Sequence, residues 1–336
     1  MTAPSQPPSP APPPTRPRPG AGRFVFAVVL ASATALAILP DLVGLDRFSP
    51  FAQLVSFRPA LLVALAVVIV VLALVALQLR WTWPIPTALL VVLGVGVAMV
   101  VPRTTAEPVP TTGTALKVLS FNVFEGSADL DQLTALIAGE RPDLVAMPEA
   151  GQRFATRLGP LIAPLGYRIQ ASVGPRQGDV AGVTVAVSER MGDVTIKRGI
   201  RGNAFTNMEV TGGALGSLRF IGFHAVAPTP GATRLWTEDL AHLRDWCSGN
   251  PPTIVAGDFN ATYDHSPLRE DTQGCGDAAA QRGEGLLGTW PSWAPEWIGP
   301  QIDHVLATTG IVSESFEVRQ VDGSDHRPIL TTLRVP

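Results

Sequence analysis

The sequence predicts an α/β sandwich with a polar site along one sheet edge, preceded by three transmembrane helices. Three observations predict this. Uncharged apolar runs follow one another closely within residues 24–102. From residue 113 onward, short apolar runs of strand type outnumber amphipathic helical patterns. Polar side chains recur at the ends of those short runs.

The 336 residues divide by composition. Residues 1–22 are dominated by Pro, Ala, Ser and Arg, cannot bury a core, and are expected to be a disordered tail. Residues 23–102 read as a membrane domain with spans at about 24–40, 59–79 and 81–102. Trp81 and Trp83 open the third span and suit a membrane interface. No small-residue cleavage site follows the first run directly, so it is read as a span and not a signal peptide. Arg103 to Ala115 reads as an extended linker, and residues 116–336 as one soluble domain.

Of 25 Lys+Arg, seven precede residue 113, as do three of 28 Asp+Glu; this leaves 18 against 25, a net of −7 for the soluble part. That lacks the basic footprint of a typical nucleic-acid binder. Arg16, Arg18, Arg23 and Arg80 fall on one side of the three spans, and Arg47, Arg58 and Arg103 on the other. The positive-inside rule then puts the N-terminus in the cytoplasm and the soluble domain outside, in a multi-pass protein of the cell membrane. Cys247 and Cys275 are either two unrelated thiols or one disulfide, and the disulfide requires an extracytoplasmic domain.

Within the soluble part, strands are expected at Leu116–Phe121, Leu144–Met147, Val180–Val187, Leu218–Phe223, Ile302–Ala307 and Ile329–Leu333. Asp129 and Gln132 resemble a capping box opening a helix with a Leu130, Leu133, Leu136, Ile137 stripe, which Gly139 would stop. Thr233 to Cys247 reads as one helix burying Trp236, Leu240 and Leu243.

The chemistry centres on Thr253 to Asn260. Ile254 to Ala256 reads as a buried strand, then Gly257 interrupts it and Asp258 and Asn260 follow, one residue apart. On an extended strand end both face one side, with Phe259 turned back into the core. A carboxylate that takes a proton from water, beside an amide that binds an oxyanion, suits phosphate ester hydrolysis. An Asp/Asn turn has the same local pattern. Other strand ends supply company: Asn122, Glu149, His224, the Asp303-His304 pair and Asp325-His326.

In this order, the stretches Ser-Phe-Asn-Val, Pro-Asp-Leu-Val-Ala-Met-Pro-Glu, Gly-Phe-His, Ala-Gly-Asp-Phe-Asn, Ile-Asp-His-Val and Ser-Asp-His-Arg-Pro resemble the endonuclease/exonuclease/phosphatase superfamily over about residues 116–336. The resemblance implies a DNase I-like sandwich of two β-sheets flanked by helices, with a divalent metal at the sheet edge. It makes Glu149 the principal metal ligand, with Asn122 and Asp325 near it, and Mg²⁺ the expected ion, Mn²⁺ the alternative. It gives Asp258 the attacking water, Asn260 a phosphate oxygen and His326 the scissile phosphate. Asp303 would orient His326, and His224 would be a second cationic donor.

Two departures direct the expectation. The superfamily's abasic-site nucleases carry Asp where this chain has Phe124, and tend to carry Tyr where it has His224. Both point toward the phosphatase, lipid-hydrolase or DNase I-like branches. Three N-terminal spans before such a domain resemble the VanJ-type membrane-anchored phosphatases of actinobacteria, associated with teicoplanin resistance. The substrate expected on that resemblance is a lipid-linked phosphate such as undecaprenyl diphosphate. A membrane-tethered nuclease acting on external nucleic acid and a non-catalytic scaffold are the alternatives. A last segment, Thr289 to Ile298, carries Trp290, Trp293 and Trp297, which either pack on the domain's core or rest at the membrane interface.

Overall fold

The computed structural model describes residues 20–336. The Pro-rich tail therefore lies outside the described residues up to position 19, and Ala21 and Gly22 already belong to the first helix. Helix α1 spans Ala21–Ile38, the short α2 Phe51–Val55, α3 Arg58–Gln78 and α4 Pro84–Val100. Three helical stretches, Ala21–Ile38, Arg58–Gln78 and Arg80–Thr104, are long and apolar enough to cross a membrane, at 18, 21 and 25 residues.

The remainder forms twelve strands: β1 (Thr114–Ser120), β2 (Leu144–Pro148), β3 (Tyr167–Ala171), β4 (Val183–Ser188), β5 (Val194–Arg201), β6 (Thr206–Gly212), β7 (Arg219–His224), β8 (Thr253–Asp258), β9 (Cys275–Asp277), β10 (Asp303–Thr308), β11 (Val312–Val318) and β12 (Ile329–Val335). They build two six-stranded mixed sheets, ordered β11-β12-β1-β2-β4-β3 and β5-β6-β7-β8-β10-β9. Between the sheets, Val118, Ala146 and Val185 meet Met208, Phe220, Ile254, Ala256 and Val305. Gly222 permits this approach, since a Cβ there would lie 2.9 Å from Val185 Cγ1. Helices α5 (Leu130–Glu140) and α6 (Gln152–Ile162) cover the outside of the first sheet. Helices α7 (Thr233–Leu240), α8 (His242–Trp246) and α9 (Ser266–Asp271) cover the second. The two-sheet sandwich flanked by helices is thus as expected.

Local expectations differ in places. The Asp129 carboxylate does cap α5, accepting from the N–H groups of Asp131 and Gln132. Gly139 does not stop that helix; Arg141, left-handed at φ 48°, ends it just before Pro142. The helix expected over Thr233–Cys247 breaks at Ala241 into α7 and α8. Strands β3, β5, β6, β9 and β11 carry no short apolar run bounded by turn residues, and they lie at or near sheet edges where one face meets water.

The linker is not a free extended tether. Arg103 is buried, its carbonyl accepts from Gly285 N, and Glu107 N donates to Gln281 O. The segment between α1 and α3 is likewise docked on the soluble domain. Arg58, fully buried, donates to Asp264 Oδ1 at 2.9 Å, to Ile38 O at 3.0 Å and to Asp41. Arg103 reaches the same Asp264 oxygen at 2.7 Å, and His265 Nε2 lies 2.8 Å from Ala52 O. Ser266 Oγ donates to Asp46 Oδ1 at 3.0 Å. Cys247 and Cys275 form a disulfide between the end of α8 and β9.

Candidate active site

Each sheet contributes one parallel pair, β1–β2 and β7–β8. Parallel neighbours end on the same side, so the residues at their C-terminal ends converge along one edge. Asn122 follows β1, Glu149 follows β2, and His224 and Asp258 are the last residues of β7 and β8. β10 runs antiparallel to β8 with Asp303 opposite Asp258, and the loop before β12 adds Asp325 and His326. Gly257 makes the β7–β8 contact possible: at φ 156° a Cβ would overlap Phe223 O. All eight residues expected at the site are therefore brought to one region, but not all in the expected roles.

His326 is the hub. Its Nδ1 lies 2.8 Å from Asp303 Oδ2, and its Nε2 lies 3.7 Å from Asp258 Oδ2. Burial alone would favour the neutral ring, but the carboxylates of Asp303 and Asp258 outweigh it and lift the pKa to about 10. The ring is therefore an imidazolium that donates to Asp303. Asp303 is itself set by Thr289, whose Oγ1 accepts from the N–H groups of Ile302 and Asp303. Ser324 Oγ accepts from His326 N and donates to Asn122 O, tying the loop to β1.

Burial raises the pKa of Asp258, and the His326 charge opposes that rise. Its Oδ1 accepts from Asn260 N at 2.8 Å and its Oδ2 from Asn122 Nδ2 at 2.9 Å. Asn260, left-handed at φ 48°, lines the cleft, with its amide NH₂ engaged by Ala225 O at 3.0 Å and Asp258 at 3.3 Å. Asn122 bridges two carboxylates, donating also to Glu149 Oε1 at 3.1 Å, while its own oxygen accepts from Phe124 N. It thus orients Glu149 here and does not turn an oxygen toward a cation. Glu149, left-handed at φ 55°, accepts at Oε2 from Glu125 N. Burial raises its pKa, as does the neighbouring Asp325 charge, against the hydrogen bonds from Asn122 and Glu125.

His224 departs from its expected role. Burial, and then repulsion by His326, depress its pKa to about 3, so it is neutral and not a second cation. It stacks on Phe205 with ring centroids 3.9 Å apart, and its Nε2 lies 3.7 Å from Asp258 Oδ2. His304 is structural, held by Asp277 and Ala261 O at 2.9 Å each.

Glu149, His224, Asp258, Asn260, Asp325 and His326 face a cleft of about 490 Å³. Its walls include residues that the motifs did not reveal. Trp290 Nε1 donates to Asp325 Oδ2 at 3.0 Å, so the first Trp of its segment positions a site carboxylate. Gln53, Ser56 and Phe57 come from the segment between α1 and α3 and close one side. Nothing in their local sequence marks them, because their place depends on docking across the whole chain.

The fold and the carboxylate–imidazolium–carboxylate line define a hydrolase of phosphoester type. The match to the family model described as the Endonuclease/Exonuclease/phosphatase family extends over residues 119–326, and the chain belongs to that family, whose members are hydrolases acting on phosphoester bonds. No curated protein sequence matches the chain. Among solved structures, a humanized TDP2 of D. rerio superposes with TM-score 0.53 at 16% identity, covering 66% of this chain and 99% of that one. An endonuclease/exonuclease/phosphatase from Bacteroides vulgatus gives 0.51 at 18%, covering 66% and 100%. The Neisseria 3' phosphatase NExo bound to product DNA hairpin gives 0.51 at 18%, covering 64% and 98%. At these identities the likeness is one of fold.

Enzymes of this family typically use divalent metals. Ligand atoms of Asp258, Asp303 and His326 lie within 4.8 Å of one another, an acidic/His group that could hold an ion. Both ring nitrogens of His326 face carboxylates, at 2.8 and 3.7 Å, so an ion at this group would take the place of a ring proton. Glu149 and Asp325 fit a hard cation better. They repel each other, Asp325 Oδ1 is buried without a partner, and both line the cleft.

Proposed function

We propose that the protein is a membrane-anchored, metal-dependent phosphohydrolase acting outside the cytoplasm on a lipid-linked phosphate, such as undecaprenyl diphosphate. One observation carries the reading. The catalytic cleft is walled on one side by Gln53, Ser56 and Phe57, between the first two apolar helices, so the reacting centre opens beside the membrane segments. The disulfide supports an extracytoplasmic domain. So does the engagement of Arg58 and Arg103 by Asp264, which gives two of the three basic residues on that side a structural reason to be there. The resemblance to VanJ-type proteins extends the proposal to cell-envelope metabolism and glycopeptide resistance.

In the reaction, Asp258 takes a proton from water as the water oxygen attacks phosphorus. The imidazolium of His326 neutralises charge growing on the phosphoryl oxygens, and Asp303 keeps it protonated and aimed. The P–O bond to the leaving group breaks, and the departing oxygen keeps the bonding pair. The Asn122 bridge and the Asn260 N–H hold Asp258 in place. A divalent cation held by Glu149 and Asp325 supplies Lewis-acid polarisation of the phosphoryl group when bound.

The test is the full-length protein in lipid nanodiscs with Mg²⁺, given polyprenyl diphosphate, plasmid DNA and a phosphodiester dye separately. Phosphate release from the lipid is expected. Cleavage of DNA alone would favour a tethered nuclease, and no release from any substrate a scaffold.

A further inference from the structure

Beyond the catalytic cleft, a second cavity of about 600 Å³ lies where the soluble domain meets the start of α3. It is lined by Pro59, Ala60 and Val63 on the helix, and by Leu286, Leu287 and Trp297 on the domain. Its walls are almost wholly apolar, and one of them is the face of a helix long and apolar enough to cross a membrane. A narrow waist of about 20 Å³, lined also by the polar Arg103, Thr262, Asp264 and Gln301, lies between the two spaces. The waist shares Ser56, Phe57 and Pro300 with the catalytic cleft, and Pro59, Leu286 and Trp297 with the apolar cavity. The three spaces therefore lie next to one another between His326 and the side of α3. Trp297 lines both waist and cavity and is 75% exposed, so packing does not hold its ring shut. Trp293, 83% exposed, lies on the same loop, and exposed indoles beside a membrane helix suit the headgroup region.

We infer that this apolar cavity takes the hydrocarbon chain of the lipid whose phosphate sits at His326. The inference rests on the lipid-phosphate reading above and adds where the tail lies. A chain emerging there passes directly from the waist to the lipid-facing side of α3. The cavity's place against the membrane helix selects a hydrocarbon over a peptide, because Glu284 is the one charged side chain on walls that otherwise offer a peptide backbone few partners.

The full-length protein is assayed in detergent with alkyl diphosphates of one headgroup, from butyl to hexadecyl, and with plasmid DNA. The kcat/KM of the intact protein is expected to rise with chain length until the cavity is filled. Ala60→Trp fills the cavity from the helix, and Leu287→Trp fills it from the domain. In each, the hexadecyl-to-butyl ratio of kcat/KM should fall about tenfold, the equivalent of roughly two buried methylenes. An unchanged ratio in both variants, with chain-length dependence intact, overturns the tail site but leaves the lipid-phosphate reading standing. Equal rates for all chain lengths in the intact protein do the same. Cleavage of DNA with no alkyl diphosphate hydrolysed overturns both.

Discussion

Arg58, at the start of a helix long and apolar enough to cross a membrane, donates to Asp264 in the sandwich domain at 2.9 Å, and both side chains are buried. Asp264 also accepts from Arg103, so one carboxylate holds two guanidinium groups from two apolar helical segments. Asp264→Ala takes the carboxylate from the buried Arg103 and leaves Arg58 with Asp41 alone. Losing one member of a buried pair typically costs about 3–5 kcal/mol. A clear drop in Tm of the purified protein is expected, together with faster proteolysis between residues 40 and 57. A chain beginning at Leu116 loses this contact and the Gln53–Phe57 wall as well, and should be less stable and slower than the full chain. Equal Tm and turnover would show that the docking has no energetic consequence.

Glu149→Gln keeps the volume and the Asn122 contact but removes a charge that burial already disfavours. Activity should vanish without loss of Tm, and Mg²⁺ binding by calorimetry should weaken sharply. Wild-type Mg²⁺ dependence in this variant would place the ion elsewhere.

Asp258→Asn and His326→Ala should each slow turnover by about 10²–10⁴-fold. The double variant should lose less than the product of the two, because both groups serve one step. The sign of the pH effect follows from the raised pKa of His326, 6.5 ordinarily and about 10 here. Its contribution to stability is complete below 6.5 and is lost as pH rises through about 10. Turnover should fall over the same alkaline range, and His326→Gln should lack that alkaline limb. A limb that survives the substitution would belong to another group.

His265 behaves oppositely. Burial outweighs its hydrogen bonds to Ala52 and Thr262 and lowers its pKa below 6.5. A neutral buried ring contributes stability above 6.5 that is lost as pH falls below it. Hydrogen exchange of residues 40–57 should therefore accelerate in mild acid, and His265→Gln should blunt the change. Exchange independent of pH would remove His265 from the docking contact.

Cys247→Ser should destabilise the domain. The disulfide spans a separation of 28 residues, and closing such a loop is worth about 3–4 kcal/mol in the chain-entropy model. A reporter active only outside the cytoplasm, fused after Pro336, should work. Retention of free thiols in protein isolated from cells, with an inactive reporter, would reverse the proposed topology.

Much of this was legible in sequence because it is local. Hydropathy marks the three apolar helices, and strand-end positions mark Asn122, Glu149, His224, Asp258 and His326. Both depend only on neighbouring residues. Tertiary structure decided what those side chains are. His224 and His326 are the same residue type, yet one is neutral and the other charged, because burial wins at the first and two carboxylates win at the second. The Asn122 bridge, the Cys247–Cys275 bond and the packed linker all join residues distant along the chain. Gln53 and Phe57 line the cleft from a segment that Asp264 pins through Arg58, far away along the chain. Composition and spacing report which groups a chain carries, whereas the dielectric and the charges around each group exist only once distant segments have packed together.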